Sequence, residues 1–221
     1  MIVQQLLHEH PDPLLKTDSI STAVLRFAES DAGVAHLPII DEHEQFVGTL
    51  AKNQIQGQLP GLPITSFLHV TPIRSNPDMH VFELANLFRM HDQDLLPVVD
   101  KDDIYLGLVF RTDVFNCLSH MLTTHKQGAI LEIEMAARDY TLGQLVYIIE
   151  QNDAKILSIT SDLESVTGGT AHITLKLNIK DASRIRHVLG HYGYHVANYF
   201  DASTAADLQF RVQELMRYLE V

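Results

Sequence analysis

The feature that most constrains this chain is internal repetition. Leu37-Pro38-Ile39-Ile40-Asp41 returns as Leu96-Pro97-Val98-Val99-Asp100, an offset of 59 residues from Pro38 to Pro97. Gly48 in VGTL returns as Gly107 in LGLV at the same offset, and Pro13 returns as Pro72. Repetition at a fixed period means a structural unit used twice. A unit of about 60 residues has little core of its own. The two copies are therefore expected to bury their sheets against each other.

Both copies read alike. An extended piece at the first Pro leads into a helix, which follows Asp18-Ser19 in the first copy and Asn76-Pro77-Asp78 in the second. Asp and Ser are good N-cap residues, because their side-chain oxygens accept from free amides of the first turn. Ala23, Val24, Phe27 and Ala28 are expected on the buried side of one helix, and Phe82, Ala85 and Phe88 on that of the other. Two apolar strands joined by a polar turn follow: LPII and FVGTL, then LPVV and YLGLVF. A second helix is expected to close each copy. In the second it is capped by Thr112, with Val114, Cys117, Leu118, Met121 and Leu122 at i, i+3, i+4, i+7 and i+8.

The pattern changes after Gly128. Ala129, Leu131, Ile133 and Met135 alternate with Glu132 and Glu134, the signature of a half-buried strand. Arg138-Asp139-Tyr140 reads as a turn. Thr141, with Gln144 three residues on, reads as a capping box opening a helix that carries Leu142, Leu145, Val146 and Ile149. Strands follow at Lys155 to Ser161, with Leu157 and Ile159 on one face, and at Ile173 to Ile179, joined by a Thr167-Gly168-Gly169-Thr170 turn. Asp181 is expected to cap a helix burying Ile185, Val188, Leu189 and Tyr192. Gly193 ends it, and Tyr194 to Phe200 is the last strand. The order is βαββαβ, a ferredoxin-like arrangement. Leu208, Val212, Leu215 and Leu219 then mark an amphipathic C-terminal helix. The expected fold class is α+β, with domains at 1–60, 61–124, 125–201 and 202–221.

Composition narrows the function. Sixteen Lys and Arg against 28 Asp and Glu give a formal charge of −12. That charge repels phosphate backbones and anionic lipid heads, and argues against nucleic acid or membrane surfaces as partners. One cysteine, Cys117, forms no internal disulfide. With no basic, apolar leader at Met1 to His10, the expected location is the cytoplasm. On an apolar helical stripe, Cys117 reads as core rather than nucleophile. Thirteen His raise the question of a metal. His187, His191 and His195 are spaced by four, but no HExxH or supporting Cys accompanies them, and His8 and His10 stand apart. Scattered surface His is the expectation, with no metal. No Walker loop, GxGxxG or GxSxG motif is present, so no catalytic residues are expected.

The helix, the L-P-V/I-V/I-D strand, the turn and the closing G-h-h-x-x-x-D resemble the CBS domain. That family occurs as pairs (Bateman-type modules) with two clefts that commonly hold adenosine-containing ligands. The resemblance implies a Ser or Thr ending the last strand of a nucleotide-binding copy, and three residues later an Asp that accepts from both ribose hydroxyls. Those positions are Ala51 and Gln54 in the first copy, Phe110 and Asp113 in the second. One carboxylate survives and neither hydroxyl does. The resemblance therefore assigns the second cleft Asp113, Arg111, Phe110, Leu96, Pro97 and Asn76, with AMP, ATP or another adenosyl ligand and no other cofactor. The stretch Asp139 to Leu145 with Ala154 to Ile159 resembles the ACT domain, which implies an amino-acid site at Asp139, Tyr140, Leu142 and Gly143. A helix N-terminus favours a carboxylate there. The whole order, with the opening MIVQQLL, resembles the acetoin-utilisation B-type proteins. Together these imply a non-catalytic, ligand-sensing regulatory homodimer. The alternative is a dimerising scaffold without a small ligand, which Phe110 at the hydroxyl position favours.

Overall fold

The computed structural model describes residues 1–30, 34–68, 72–163 and 169–202. It divides into two compact units, Met1–Leu118 and Ser119–Val221. The expected C-terminal helix, and Thr167 and Gly168 of the expected turn at Thr167 to Thr170, lie outside the described residues.

In the first unit the elements are β1 (Leu14–Leu15), α1 (Ile20–Glu29), β2 (His36–Ile40), β3 (Phe46–Ala51), α2 (Val81–Met90), β4 (Leu95–Val99), β5 (Tyr105–Phe110) and α3 (Arg111–Met121). The two hairpins are copies of each other. Pro38 faces Thr49 and Ile39 faces Gly48, while Pro97 faces Leu108 and Val98 faces Gly107. Both hairpins carry a bulge, one between Ile39 and Ile40 and the other between Val98 and Val99. The turns are copies too. Oδ1 of Asp41 accepts from the amides of His43 and Gln45, and Oδ1 of Asp100 from those of Asp102 and Ile104. An Asp at this place substitutes for backbone acceptors in a tight turn. At the tips the copies meet. The Phe46 amide donates to Asp103 O and the Tyr105 amide to Glu44 O, both at 2.9 Å. Leu95 and Leu108 of the second copy are buried in one cluster with Leu37, Ile39 and Leu50 of the first. The two repeats share a core, which adds to the little that a unit this small buries by itself.

The offset is not uniform. Leu14 pairs with Ile39 in parallel, and Ser75 with Val98. Leu14 thus corresponds to Ser75, 61 positions on. The 3₁₀ turns Val3–Leu6 and Ile64–Phe67, and helices α1 and α2, keep that 61-residue offset. The structural twin of Pro72 is therefore Pro11, not Pro13. The two residues are lost between helix and strand, where α1 needs six connecting residues and α2 four.

Each 3₁₀ turn straps the other repeat. Val3 is fully buried with Val81, Leu84 and Phe88 of the second copy, and the Val3 amide donates to Met79 O. Ile64 is fully buried in the first copy's core, and its amide donates to Asp18 O.

Several local expectations change. The second helix of the first repeat is only a 3₁₀ turn, Lys52–Ile55. The sequence Gln56-Gly57-Gln58-Leu59-Pro60-Gly61 carries no apolar stripe to extend it, and Gly and Pro break it. The α1 face that such a helix would cover leaves Val24 and Leu25 exposed. Helix α2 is capped by His80, whose Nδ1 accepts from the Phe82 amide, so its buried stripe is Val81, Leu84 and Phe88 and Phe82 is exposed. Helix α3 starts at Arg111, ahead of Thr112.

The second unit has the element order β6 (Ile130–Ala136), α4 (Leu142–Glu150), β7 (Ile156–Leu163), β8 (Thr170–Leu177), α5 (Ser183–His191), β9 (His195–Phe200). The sheet is antiparallel in the order β7-β8-β6-β9. One face, with Leu131, Ile133, Ile173 and Leu175, packs on Leu145, Ile148 and Ile149 of α4 and Ile185 and Leu189 of α5. A bulge between Ile156 and Ser158 brings Ile156 with Ile159, rather than Leu157 with Ile159, against that core. Thr141 and Gln144 form no capping box. Ala182 caps α5, while Asp181 Oδ1 accepts from the Ser183 amide beside it. Tyr192 is exposed. No helix among the described residues is long and apolar enough to cross a membrane.

Candidate functional site

The geometry around Asp113 follows from the β5–α3 junction. As β5 ends at Phe110 the chain turns at once into α3, and Asp113 sits in the first helical turn. Asp113 Oδ2 accepts from the Phe110 amide at 3.2 Å, which satisfies a donor that would otherwise be orphaned at the helix start. The same oxygen lies 2.9 Å from Nε2 of His8. Both contacts fall on Oδ2, and Oδ1 takes part in neither. The Asp113 side chain is 25% exposed. The first repeat repeats the cap without the charge: Gln54 Oε1 accepts from the Ala51 amide at 2.8 Å.

His8 arrives on the N-terminal strap. Its amide donates to Leu108 O at 2.8 Å, and its carbonyl accepts from the Leu108 amide at 2.9 Å. The strap passes so close that a Cβ on Gly107 would lie 2.5 Å from His8 O. Gly107 also has φ +144°, a conformation that L side chains rarely adopt. Its repeat partner Gly48 faces the equivalent strap, where a Cβ would lie 2.9 Å from Cδ2 of Leu68. The glycine at repeat spacing is thus required by the passing strap. The His8 ring stands edge-on to Phe110, 5.3 Å between centroids.

Of the other expected residues, Arg111 is bound locally. Its guanidinium donates to the carbonyl of Gln93, lies 3.5 Å from Asp92 Oδ1, and stands over the Phe88 ring at 5.9 Å. Leu96 and Pro97 are buried in β4, where Pro97 O accepts from the amide and the hydroxyl of Ser75. Asn76 is exposed and its Oδ1 accepts from the Asp78 amide, a turn role. Phe110 and Asp113 are therefore brought together with His8, while the other side chains are taken up by structure.

His8 was not among the expected residues. A signal for it exists in the sequence: Leu7-His8 precedes Pro11 as Leu68-His69 precedes Pro72, at the 61-residue offset. Only the second offset exposes this match.

The two repeats are also joined by Asp94, equivalent to Ala35. Its carboxylate accepts from the Ala35 amide at 2.8 Å and pairs with Nδ1 of His36. Burial pushes the Asp94 carboxyl up, but the bonds from His36 and Ala35 outweigh it and hold the group below its ordinary value. Cys117 is buried, which raises its thiol, and Sγ lies 2.7 Å from Sδ of Met1.

In the second unit, Asp139, Tyr140, Leu142 and Gly143 gather at the mouth of α4. Asp139 ends a 3₁₀ turn, Ala137–Asp139, and pairs loosely with Arg138 at 3.7 Å. Tyr140 packs on the core, and Leu142 and Gly143 are exposed in the first turn of the helix. A Cβ on Gly143 would meet nothing within 4 Å. His187 and His191 approach at 3.1 Å, Nε2 to Nε2, and His195 lies 3.9 Å from Glu134. Among the described residues no three His, Cys, Asp or Glu stand as metal ligands would.

Residues 70–120 match the CBS domain family. A structure of a CBS domain pair/ACT domain protein from Thermotoga maritima superposes with a TM-score of 0.52, over 55% of this chain and 99% of that one, at 16% identity. That likeness gives the first unit the fold of a CBS domain pair. The CBS domains of a transcriptional regulator from Streptococcus pneumoniae superpose on this chain with a TM-score of 0.49, over 52% of this chain and 98% of that one, at 19% identity. An A-adding tRNA nucleotidyltransferase from Aquifex aeolicus is 26% identical over 123 residues, 54% of this chain. The match spans 15% of that relative's length.

Proposed function

We propose that the chain is a non-catalytic regulatory protein whose CBS pair senses an adenosine-containing ligand through Asp113. The observation that carries this reading is the carboxylate itself. Repeat two keeps it, partly exposed, at the first turn of a helix, where repeat one has the uncharged Gln54. A carboxylate accepts from two neighbouring hydroxyls better than an amide does, and capping alone is served by Gln54. The ligand acts by differential affinity for two arrangements of a homodimer in the cytoplasm. The second unit, read as an ACT-like, ferredoxin-like domain, offers the exposed N-terminus of α4 at Leu142 and Gly143 to an amino-acid carboxylate. The order of units is that of the acetoin-utilisation B-type proteins.

A scaffold without a ligand is the second reading. Arg111 and Phe110 favour it: the guanidinium is committed to the chain's own carbonyls, and the phenyl ring stands where a phosphate-binding hydroxyl is expected. A thermal-shift screen separates the two, because a ligand that binds only the folded state raises the melting temperature by mass action. AMP, ATP, S-adenosylmethionine and the common amino acids are the probes. A shift with an adenosine compound that Asp113→Ala removes supports sensing. No shift with any of them leaves the scaffold.

A further inference from the structure

We infer that His8 is a built-in competitor for the ligand, a side-chain gate that holds the diol-binding oxygen of Asp113 until a ribose displaces it. This rests on the reading of Asp113 as the ligand carboxylate. A cis-diol engages a carboxylate with one hydroxyl on each oxygen. Among the described residues Oδ1 accepts no hydrogen bond, but Oδ2 already accepts from the Phe110 amide and from Nε2 of His8. The Phe110 amide belongs to the backbone and stays. The imidazole is the removable partner, and it occupies the position the second hydroxyl needs.

The device has a fixed part and a moving part. The strap backbone is fixed, bonded in both directions to Leu108 and seated against Gly107. The imidazole is not enclosed, since the His8 side chain is 45% exposed. It leaves by rotating about its own side-chain bonds, with the strap in place. Its departure also uncovers Phe110, which its edge now meets. Ligand entry therefore exchanges one hydrogen bond of Asp113 for another, and the intrinsic affinity is lowered by the bond that is given up. A hydrogen bond of net value near the usual one corresponds to roughly a five-fold change in affinity.

Titration calorimetry of the full chain with AMP and with 2′,3′-dideoxy-AMP tests this. His8→Ala is expected to bind AMP about five-fold more tightly than the wild type and to leave the dideoxy compound, which lacks both hydroxyls, unchanged. His8→Val, which suits an extended strap, serves if the alanine variant loosens it. Protection of the Leu108 amide from exchange reports that the strap is seated. If AMP binds the wild type and neither variant improves on it, the gate is refuted and the sensing role stands. Weaker binding by both variants makes His8 a ligand contact and overturns the gate. If no variant binds AMP at all, the sensing role itself falls and the gate with it.

Discussion

Gly107→Ala and Gly48→Ala occupy the same position of the two repeats, yet the structure predicts unequal costs. At Gly107 an alanine inherits φ +144°, essentially a glycine conformation, at about 1–3 kcal/mol. Its Cβ also falls 2.5 Å from His8 O, a backbone atom that moves only if the strap moves. Displacing the strap weakens the two bonds between His8 and Leu108, each worth about 1 kcal/mol net. The expected loss is roughly 3–5 kcal/mol. At Gly48 the backbone is ordinary and the Cβ meets Cδ2 of Leu68 at 2.9 Å, the far end of a side chain that can turn away. About 1 kcal/mol is expected there. Urea unfolding followed by circular dichroism measures both losses, and amide exchange at Leu108 localises the first to the strap. Equal losses at the two glycines would refute the reasoning that the strap makes them different.

Three further outcomes are expected. Asp94 has its carboxyl held below the ordinary value, so its contribution is complete above about pH 4 and is lost as the pH falls through its lower folded value. Asp94→Asn should flatten the acid limb of melting temperature against pH; an unchanged acid slope shows the His36 pair to be dispensable. In the second unit Ile133 is fully buried at the centre of the sheet core, and Ile133→Ala should cost about 2–5 kcal/mol in chemical denaturation. A Cβ at Gly128 would lie 1.9 Å from Leu177 O, so Gly128→Ala should expose the amide of Ala129, which now donates to Ile179 O, to rapid exchange. Continued protection of that amide would refute the claim that the backbone at Gly128 has no room for a side chain.

The hairpins were legible because they are specified locally. Alternating apolar residues, a turn Asp and a Gly at a fixed offset leave one register for each, and the order of elements in the second unit followed from periodicity alone. What the sequence hid was set by tertiary contact. Phe82 looked buried until His80, an unusual cap, fixed the start of α2 and with it the phase of the buried stripe. The Pro13–Pro72 match satisfied one offset, whereas the strand pairing of Leu14 and Ser75 obeys another. His8 stood alone in the sequence because its partner is 105 residues away. Only the strap's crossing to the other repeat brings it to Asp113. The candidate site is half legible for the same reason: its carboxylate lies at a local strand–helix junction, and its neighbour comes from the far end of the unit.

Calorimetric titration of AMP into the wild type, Asp113→Asn and Gln54→Ala addresses the central claim most directly. Asparagine keeps an acceptor for the Phe110 amide and removes the charge, so loss of binding reports the carboxylate and not the helix cap. The account predicts one AMP per chain in the wild type and in Gln54→Ala, and none in Asp113→Asn. Undiminished binding by Asp113→Asn, or no heat from the wild type, would contradict it.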